Sequence, residues 1–390
     1  MEQRKYQMCN KCVMDTTDTE ISFDGDGVCN HCHSYARRWN DLVKPLRDDP
    51  HSFDKMIEQI KKDGAGKRYD CILGISGGVD STYLALLTKD YGLRPLVIHL
   101  DNGWNSEIAT RNINNIIDKL GVDLYTHVIN WEEFRDLQMS LLKASVVDLE
   151  LVSDHAVFAV IYGLARKYDI KYNLNGFNIE TEGILPSSWR WHKMDWLNIA
   201  SIHKKYGSVS LKTFPHLAYF KKWYFDVILK LTPIQVLNYR PYNKDEAKKR
   251  ITEELGWQDY GGKHYESVIT RFYQGYILPT KFNIDKRKAH LSTLINSGQI
   301  TQDEALEELK KPIYDANQLK IDTEFVLKKL QLTAEEFDEI MNLPIQPHIA
   351  FPSYTTKHYV YNEQFFQTIQ PATKLVKSML GRGPSNKRSY

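Results

Sequence analysis

The chain has 390 residues, with 51 lysines and arginines against 49 acidic residues, a formal net charge of +2, 42% hydrophobic and 26% charged content: the composition of an ordinary globular protein of two or three domains. No window reaches the roughly 18 apolar residues of a membrane span, and Met1 to Lys11 carries no apolar run of signal type, so the expectation is a cytoplasmic chain with no membrane partner. Near-neutral charge removes a general drive toward nucleic acid, and the locally basic stretch from Lys374 to Arg388 reads as a solvated tail.

Four of the five cysteines fall within the first 32 residues. Cys9-x2-Cys12 and Cys29-x2-Cys32, sixteen residues apart, have the spacing of a four-thiolate zinc site on two knuckles. Disulfides are disfavoured in a reducing compartment, so metal is the expected role. Cys29-Asn30-His31-Cys32-His33 also fits the haem-attachment pattern, and His31 or His33 could replace a thiolate. A closed four-cysteine site leaves no open coordination position, which makes this zinc structural. The knuckle unit is set at residues 1–45. Trp39, Leu42, Phe53, Met56, Ile57 and Ile60 then follow a helical pattern that links it to what comes next.

An α/β unit, residues 46–242, begins with the apolar run Asp70–Ile75. Ser76-Gly77-Gly78-Val79-Asp80-Ser81 follows, and Thr82–Leu87 continues with helical periodicity: strand, glycine turn, helix. Two glycines let the backbone approach an anion, and the N–H groups and positive end of the next helix face the same point. Ser76 and Ser81 add hydroxyl donors, while Asp80 could hold a divalent cation that bridges to phosphate. The turn has no lysine, unlike the common G-x-x-x-x-G-K-[ST] nucleotide loop. Pro95–Leu100 reads as a second buried strand, and Leu124–Ile129 and Ile170–Asn175 as the third and fourth, of a parallel sheet whose ligands gather at the strands' carboxyl ends. The turn, Asp101-Asn102-Gly103 and the segment from Gly176 all fall there.

Gly176-Phe177-Asn178-Ile179-Glu180-Thr181-Glu182-Gly183 puts two carboxylates and an amide at the sheet mouth, able to hold magnesium or orient an amine, or else to form a solvated acidic loop. Trp189, Trp191, Trp196 and Trp223 crowd the next stretch; most such rings are core, and one or two could stack on a sugar or base. Pro233 to Tyr242 gives a further strand-like run and Lys244 to Leu255 an amphipathic helix. A helical region, 243–345, contains the polar block Gly261-Gly262-Lys263-His264-Tyr265-Glu266-Ser267, then Arg271 and Lys281-Phe282-Asn283-Ile284-Asp285-Lys286-Arg287-Lys288. Its basic residues either form a solvated face or meet a polyphosphate that the lysine-free turn cannot neutralise alone. Residues 346–390 are set apart as a tail.

The six-residue turn resembles the signature of the PP-loop ATP pyrophosphatases, which split ATP between the α and β phosphates. Asp101-Asn102-Gly103 is similar to a strand end of GMP synthetase, and the Gly176 segment to an acidic stretch of NAD synthetase. Over about residues 6 to 310, with Gly-Gly-Lys-His-Tyr-Glu-Ser and Phe-Asn-Ile-Asp-Lys-Arg-Lys-Ala-His-Leu as its most pointed parts, the chain resembles the N-acetyl sugar amidotransferases of bacterial surface-polysaccharide biosynthesis. That resemblance implies a Rossmann-like parallel sheet of PP-loop type between a zinc knuckle and a mainly helical C-terminal region. It implies ATP bound by Ser76, Gly77, Gly78, Val79, Asp80, Ser81, Leu100, Asp101 and Gly176, with magnesium on Asp80. An acetamido group on a nucleotide-linked uronic acid, or a related nine-carbon sugar, would become acetamidino, in lipopolysaccharide O-antigen or similar glycan synthesis. Lys281 and Arg287 are the expected stabilisers of departing pyrophosphate, Glu180 or Glu182 the group that orients or deprotonates ammonia, and Asn178, Lys263, His264, Tyr265 and Lys288 the expected sugar contacts. A built-in glutaminase would need a nucleophilic cysteine. Residue 2 is Glu2 and Cys71 lies in a buried strand, so ammonia is expected from a separate HisH-like glutaminase with a HisF-like barrel. The rivals are a PP-loop tRNA thiolation enzyme, which needs cysteines beside the nucleotide, and a non-enzymatic nucleotide-sensing adapter.

Overall fold

Short strands pair into one parallel sheet, in which the runs at residues 71–73 and 95–100 are buried while none of residues 123–128 is fully buried. The structure, a computed structural model, describes residues 5–225, 229–261 and 265–355. Its strands are β1 (Cys71–Gly74), β2 (Pro95–Asp101), β3 (Asp123–Val128), β4 (Tyr172–Asn175) and β5 (Thr232–Gln235), in the order β3-β2-β1-β4-β5. Every neighbouring pair is parallel, with Cys71 opposite Pro95 and Leu73 opposite Leu174. The chain lays down β1, β2 and β3 in one direction, then returns to place β4 on the other side of β1. That reversal opens a crevice at the carboxyl ends of β1 and β4, where open α/β sheets take their ligands. The expected α/β architecture is therefore present, with the cysteine-rich segment before the sheet and helices after it.

Alternation along β1 divides the core. Ile72 joins Leu96 and Ile98 on one face, under helices Trp131–Ala144 and Leu151–Lys167. Cys71 and Leu73 face helices Ser52–Asp63, Val79–Asp90 and Lys244–Leu255 on the other. Each fully buried Ile or Leu contributes about 2 kcal/mol of transfer free energy. The first face extends without a break to the four knuckle cysteines and to Phe272, Leu278, Val326 and Phe351 of the C-terminal region.

Two expected elements are shorter than their sequence patterns. The linker pattern runs through helix Asn30–Arg38, a π-helical segment Trp39–Val43 and helix Lys44–Asp48, and is interrupted only around Pro50 before helix Ser52–Asp63, since proline cannot continue a helix from within. The run Pro233 to Tyr242 is a strand only to Gln235. There Asn238 donates to Gln235 Oε1 at 2.8 Å and accepts from the Ile179 amide at 2.9 Å, which turns the chain into a 3-10 segment. Among the described residues no helix is long and apolar enough to cross a membrane.

Candidate active site

Gly77 holds φ of +82°, and a Cβ on it would lie 3.0 Å from the Ala109 carbonyl oxygen, so both the backbone region and the space require glycine. Trp257 Nε1 donates to the Gly77 carbonyl at 2.8 Å from behind, fixing the turn. Gly78 is the N-cap of helix Val79–Asp90. Its amide donates to Ser76 Oγ at 3.2 Å, and the Ser76 amide donates to Ser81 Oγ at 3.3 Å. Amides, hydroxyls and a helix start thus converge on one point, the arrangement that receives phosphate oxygens.

Carboxylates and tyrosines surround that point. Tyr242 donates its hydroxyl to Asp80 Oδ1, and burial, then the Asp80 charge, push its own ionisation far up. Gly176 backs onto Asp80 so closely that a Cβ there would lie 3.1 Å from the Asp80 backbone. Thus β4 delivers Gly176 to the floor of the site. Glu266 arrives from another direction: the Ser106 amide donates to its carbonyl at 2.8 Å and Val268 donates to the Trp104 carbonyl at 2.9 Å, so residues 266–268 are zipped to the chain beyond β2. A Cβ at Gly78 would meet Tyr260 Oη at 3.3 Å and Glu266 Oε1 at 3.6 Å. Burial, followed by the Glu266 and Asp80 charges, holds Tyr260 protonated. Acidic oxygens beside an anion cradle suit a divalent cation placed between them.

The turn opens into a cavity of about 1410 Å³. Ser76, Val79, Leu100, Glu182, Tyr265 and Glu266 line it, as do Lys286 and Arg287. Asp101 does not: its carboxylate accepts from the Gly103 amide at 2.9 Å and faces a smaller pocket. Trp189 reaches the cavity, whereas Trp191 stacks on His348 and Trp196 on His216, as core.

Several residues singled out in the sequence are committed elsewhere. Glu180 takes a bidentate pair from Arg47 at 3.1 and 2.8 Å and accepts from the Tyr242 amide at 2.9 Å, a structural clamp that leaves Glu182 as the carboxylate lining the cavity. Asn178 is buried and caps helix Ile179–Glu182, accepting from the Thr181 amide at 2.8 Å. Lys281 donates to the carbonyls of Ile340, Met341 and Leu343, each at 2.8 Å, and so caps a helix end rather than meeting pyrophosphate. The Arg287 guanidinium is held by Asp285 at 2.8 Å and by the Lys311 carbonyl at 2.9 Å. Lys288 Nζ reaches away to buried Asp15, 2.5 Å distant, bracing the knuckle. Tyr265 lies under the Arg271 guanidinium, 5.2 Å from its ring centroid. Lys263 and His264 lie outside the described residues. Sequence reasoning did not single out Tyr242 or Tyr260, which show no pattern, and it met Glu266 only as part of a polar block.

The sulfurs of Cys9, Cys12, Cys29 and Cys32 are buried and lie within 4.8 Å of one another. Separations of 3.7 to 3.9 Å between them match the edge of a tetrahedron with metal–sulfur bonds of about 2.3 Å. Hydrogen bonding from Cys12 pulls Cys9 down to about 6 and Cys32 to about 4. Amides of Lys11 and Cys29 donate to Cys9 Sγ, and Asn296 donates to Cys32 Sγ at 3.3 Å. This group fits a tetrahedral metal ion. His31 and His33 are paired with Asp18 and Asp24 at 2.6 and 2.7 Å, outside the cluster.

Comparison with known proteins bears on the C-terminal region first. Residues 266–365 match the family model described as LPS biosynthesis protein WbpG-like, C-terminal domain. The matched stretch begins at Glu266, beside the glycine turn. Over 313 residues the chain is 24% identical to Uncharacterized protein MJ1599 of Methanocaldococcus jannaschii, covering 78% of this chain and 93% of that protein. Among solved structures it is similar to the NH3-dependent NAD synthetase from Campylobacter jejuni (14% identity, 52% of this chain and 82% of that one, TM-score 0.28). It is also similar to NMN synthetase from Francisella tularensis (17%, 58% and 92%, TM-score 0.27) and to the U34-tRNA thiolase NcsA from Methanococcus maripaludis (14%, 80% and 95%, TM-score 0.31).

Proposed function

We propose that the protein is an ATP-dependent, AMP- and pyrophosphate-forming amidotransferase that converts the acetamido group of a nucleotide-linked sugar into an acetamidino group for lipopolysaccharide or related surface-glycan synthesis. The observation that carries this reading is a lysine-free glycine turn, flanked by Asp80 and Glu266, opening into a cavity large enough for a nucleotide and a sugar together. The WbpG-like match beginning at that same Glu266 supports the choice of pathway.

The chemistry follows from the inertness of an amide. Hydroxide is a poor leaving group, so ammonia does not displace the acetamide oxygen directly. In the first step that oxygen attacks the α phosphorus, the bond from α phosphorus to the bridging oxygen breaks, and pyrophosphate leaves with the electron pair. Backbone amides of the turn and the Ser76 and Ser81 hydroxyls stabilise the charge that develops. Asp80 and Glu266 would hold Mg2+, which neutralises phosphate charge when bound. In the second step ammonia attacks the imidate carbon, the carbon–oxygen bond breaks and AMP departs. Glu182, on the cavity wall, takes the proton that nitrogen sheds. The four-cysteine ion, on this reading Zn2+, is structural, and ammonia comes from a separate HisH-like glutaminase with a HisF-like barrel. The protein works in the cytoplasm.

The test incubates the full chain with ATP, ammonium chloride and candidate diacetamido nucleotide sugars. AMP formation and the small mass loss of exchanging oxygen for NH are expected together. ADP and orthophosphate in place of AMP would end the proposal, and sugar-independent thiolation of tRNA would put the sulfur-transfer reading in its place. Nothing at the turn favours sulfur: Cys71, the one cysteine outside the knuckle, is buried in β1, and burial pushes its thiol up.

A further inference from the structure

Most basic side chains on the cavity wall are matched by an acid: Lys193, Lys248, Arg271, Lys286 and Arg287 each form an ion pair. Arg38 and Arg190 line the same cavity and differ. Among the described residues neither has a carboxylate partner. Arg38 donates one hydrogen bond, to the Gly183 carbonyl at 2.7 Å, and lies 5.8 Å from the centroid of the Phe177 ring. The two guanidiniums feel each other: burial and then the charge of Arg190 lower the ionisation of Arg38.

The fold anchors the segments that carry both arginines to the cysteine-rich module. Arg38 is the last residue of helix Asn30–Arg38, which starts at the metal-site residue Cys29. Arg190 follows the turn Ser187–Trp189, which is tied to the knuckle where Ser188 donates to Asp18 at 2.8 Å and Ser187 donates to Glu20. On its other side the Trp191 amide donates to Asp148 at 2.7 Å. Two cations on the wall of one cavity repel, and an anion bound there relieves the repulsion. Guanidinium is the side chain whose planar fork matches carboxylate and phosphate oxygens.

We propose that Arg38 and Arg190 form an oxyanion subsite for the acidic group of the sugar substrate, a ring carboxylate or the diphosphate of its nucleotide, on the wall built by the knuckle and residues 183–191. The choice of a sugar as ligand rests on the function proposed above; the subsite itself does not. This assigns the cysteine-rich module a second task besides folding, since it carries one arginine and anchors the loop of the other.

Titration calorimetry on the full chain, with the glycine turn filled by α,β-methylene-ATP, tests this. Glucuronic acid is the carboxylate probe, UDP-glucose the diphosphate probe and N-acetylglucosamine the neutral control. Arg190→Gln removes an exposed side chain that holds no carboxylate partner among the described residues, so the fold is retained, and Arg38→Gln is read beside its melting curve. At least one acidic probe is expected to bind the native chain and to bind the Arg190 variant about tenfold or more weakly, the loss of a charge-assisted contact. Affinity for the ATP analogue should be unchanged. The proposal is overturned if neither acidic probe binds the native chain, if the variants bind both as well as it does, if the neutral sugar weakens equally, or if the ATP analogue weakens with them, which would give the pair to the nucleotide. Failure to form AMP from any acetamido sugar would defeat the proposed reaction and leave these binding results standing.

Discussion

Glu180 and Glu182 lie two residues apart in an acidic segment, and the structure separates their roles by where each points. Glu180 is nearly buried against Arg47, with side-chain exposures of 12% and 17%, and both carboxylate oxygens are engaged by the guanidinium. Changing Glu180 to Gln leaves Arg47 without its counter-charge in a poorly solvated place. Breaking such a pair costs about 3 kcal/mol, which for a chain of this length is a fall in Tm of about 4 °C. Glu182 lines the cavity, so Glu182→Gln should lower turnover about 100-fold, the usual yield of a positioned base. Calorimetric melting and pyrophosphate release, measured on both variants, give the comparison. A Glu180 variant of native stability that had lost turnover, or a Glu182 variant unchanged in both respects, would refute the division.

Asp80→Ala should abolish pyrophosphate release while the melting temperature holds, and retained turnover would remove Asp80 from cation binding. Cys12→Ser should lower both bound metal, counted by elemental mass spectrometry, and Tm; native stability with metal lost would deny the knuckle a folding role. Lys281→Met should cost about 1–3 kcal/mol, since three helix-end carbonyls lose a charged donor, with no change in KM for ATP; a raised KM would return this lysine to the nucleotide site. Acid should weaken the 131–144 region through Asp136. Burial pushes that carboxyl up, but the Val209 and Ser208 amides, the Ser208 hydroxyl and His203 together hold it below the ordinary carboxylate range. Its contribution is therefore complete above the unfolded value of about 3.9 and is lost as pH falls through the lower folded value. Asp136→Asn should flatten that part of the acid melting profile.

The parts of this molecule that were legible beforehand are those whose physics is local. A glycine pair between an apolar run and a helical period, and two Cys-x-x-Cys pairs at knuckle spacing, each specify their backbone within a few residues. Strand positions followed for the same reason, and the parallel sense of the sheet followed from connections long enough to hold helices. The basic block from Lys281 to Lys288 was not legible in that way. Its charge was visible, but whether an ammonium meets a ligand, a carboxylate or a helix end depends on partners far along the chain: Ile340 for Lys281 and Asp15 for Lys288. Glu180 failed for the same cause, its partner Arg47 being 133 positions away. Tyr242, Tyr260 and Arg190 sit in stretches with no period or motif, and only tertiary packing brings them to the site.

The ion pairs of the C-terminal region also change where the charge on a departing pyrophosphate must be met. A cationic wall made from Lys281, Arg287 and Lys288 would be the natural counterpart to a turn without lysine, yet Lys281 is spent on carbonyls and the other two on aspartates. What faces the turn instead is acidic, Asp80 and Glu266, with Tyr242 and Tyr260 kept protonated around them. An anion about 4 Å from a carboxylate at a partly solvated site is repelled by roughly 4 kcal/mol, so the arrangement is unfavourable to ATP unless a divalent cation lies between. With such an ion in place the sign reverses, and the same carboxylates become the reason the phosphates bind. On the proposed reading, charge neutralisation is therefore divided between backbone amides and a cation held by Asp80 and Glu266. Among the described residues Arg38 and Arg190 have no carboxylate partner, and on the same reading the cavity wall they line is where the sugar would be received.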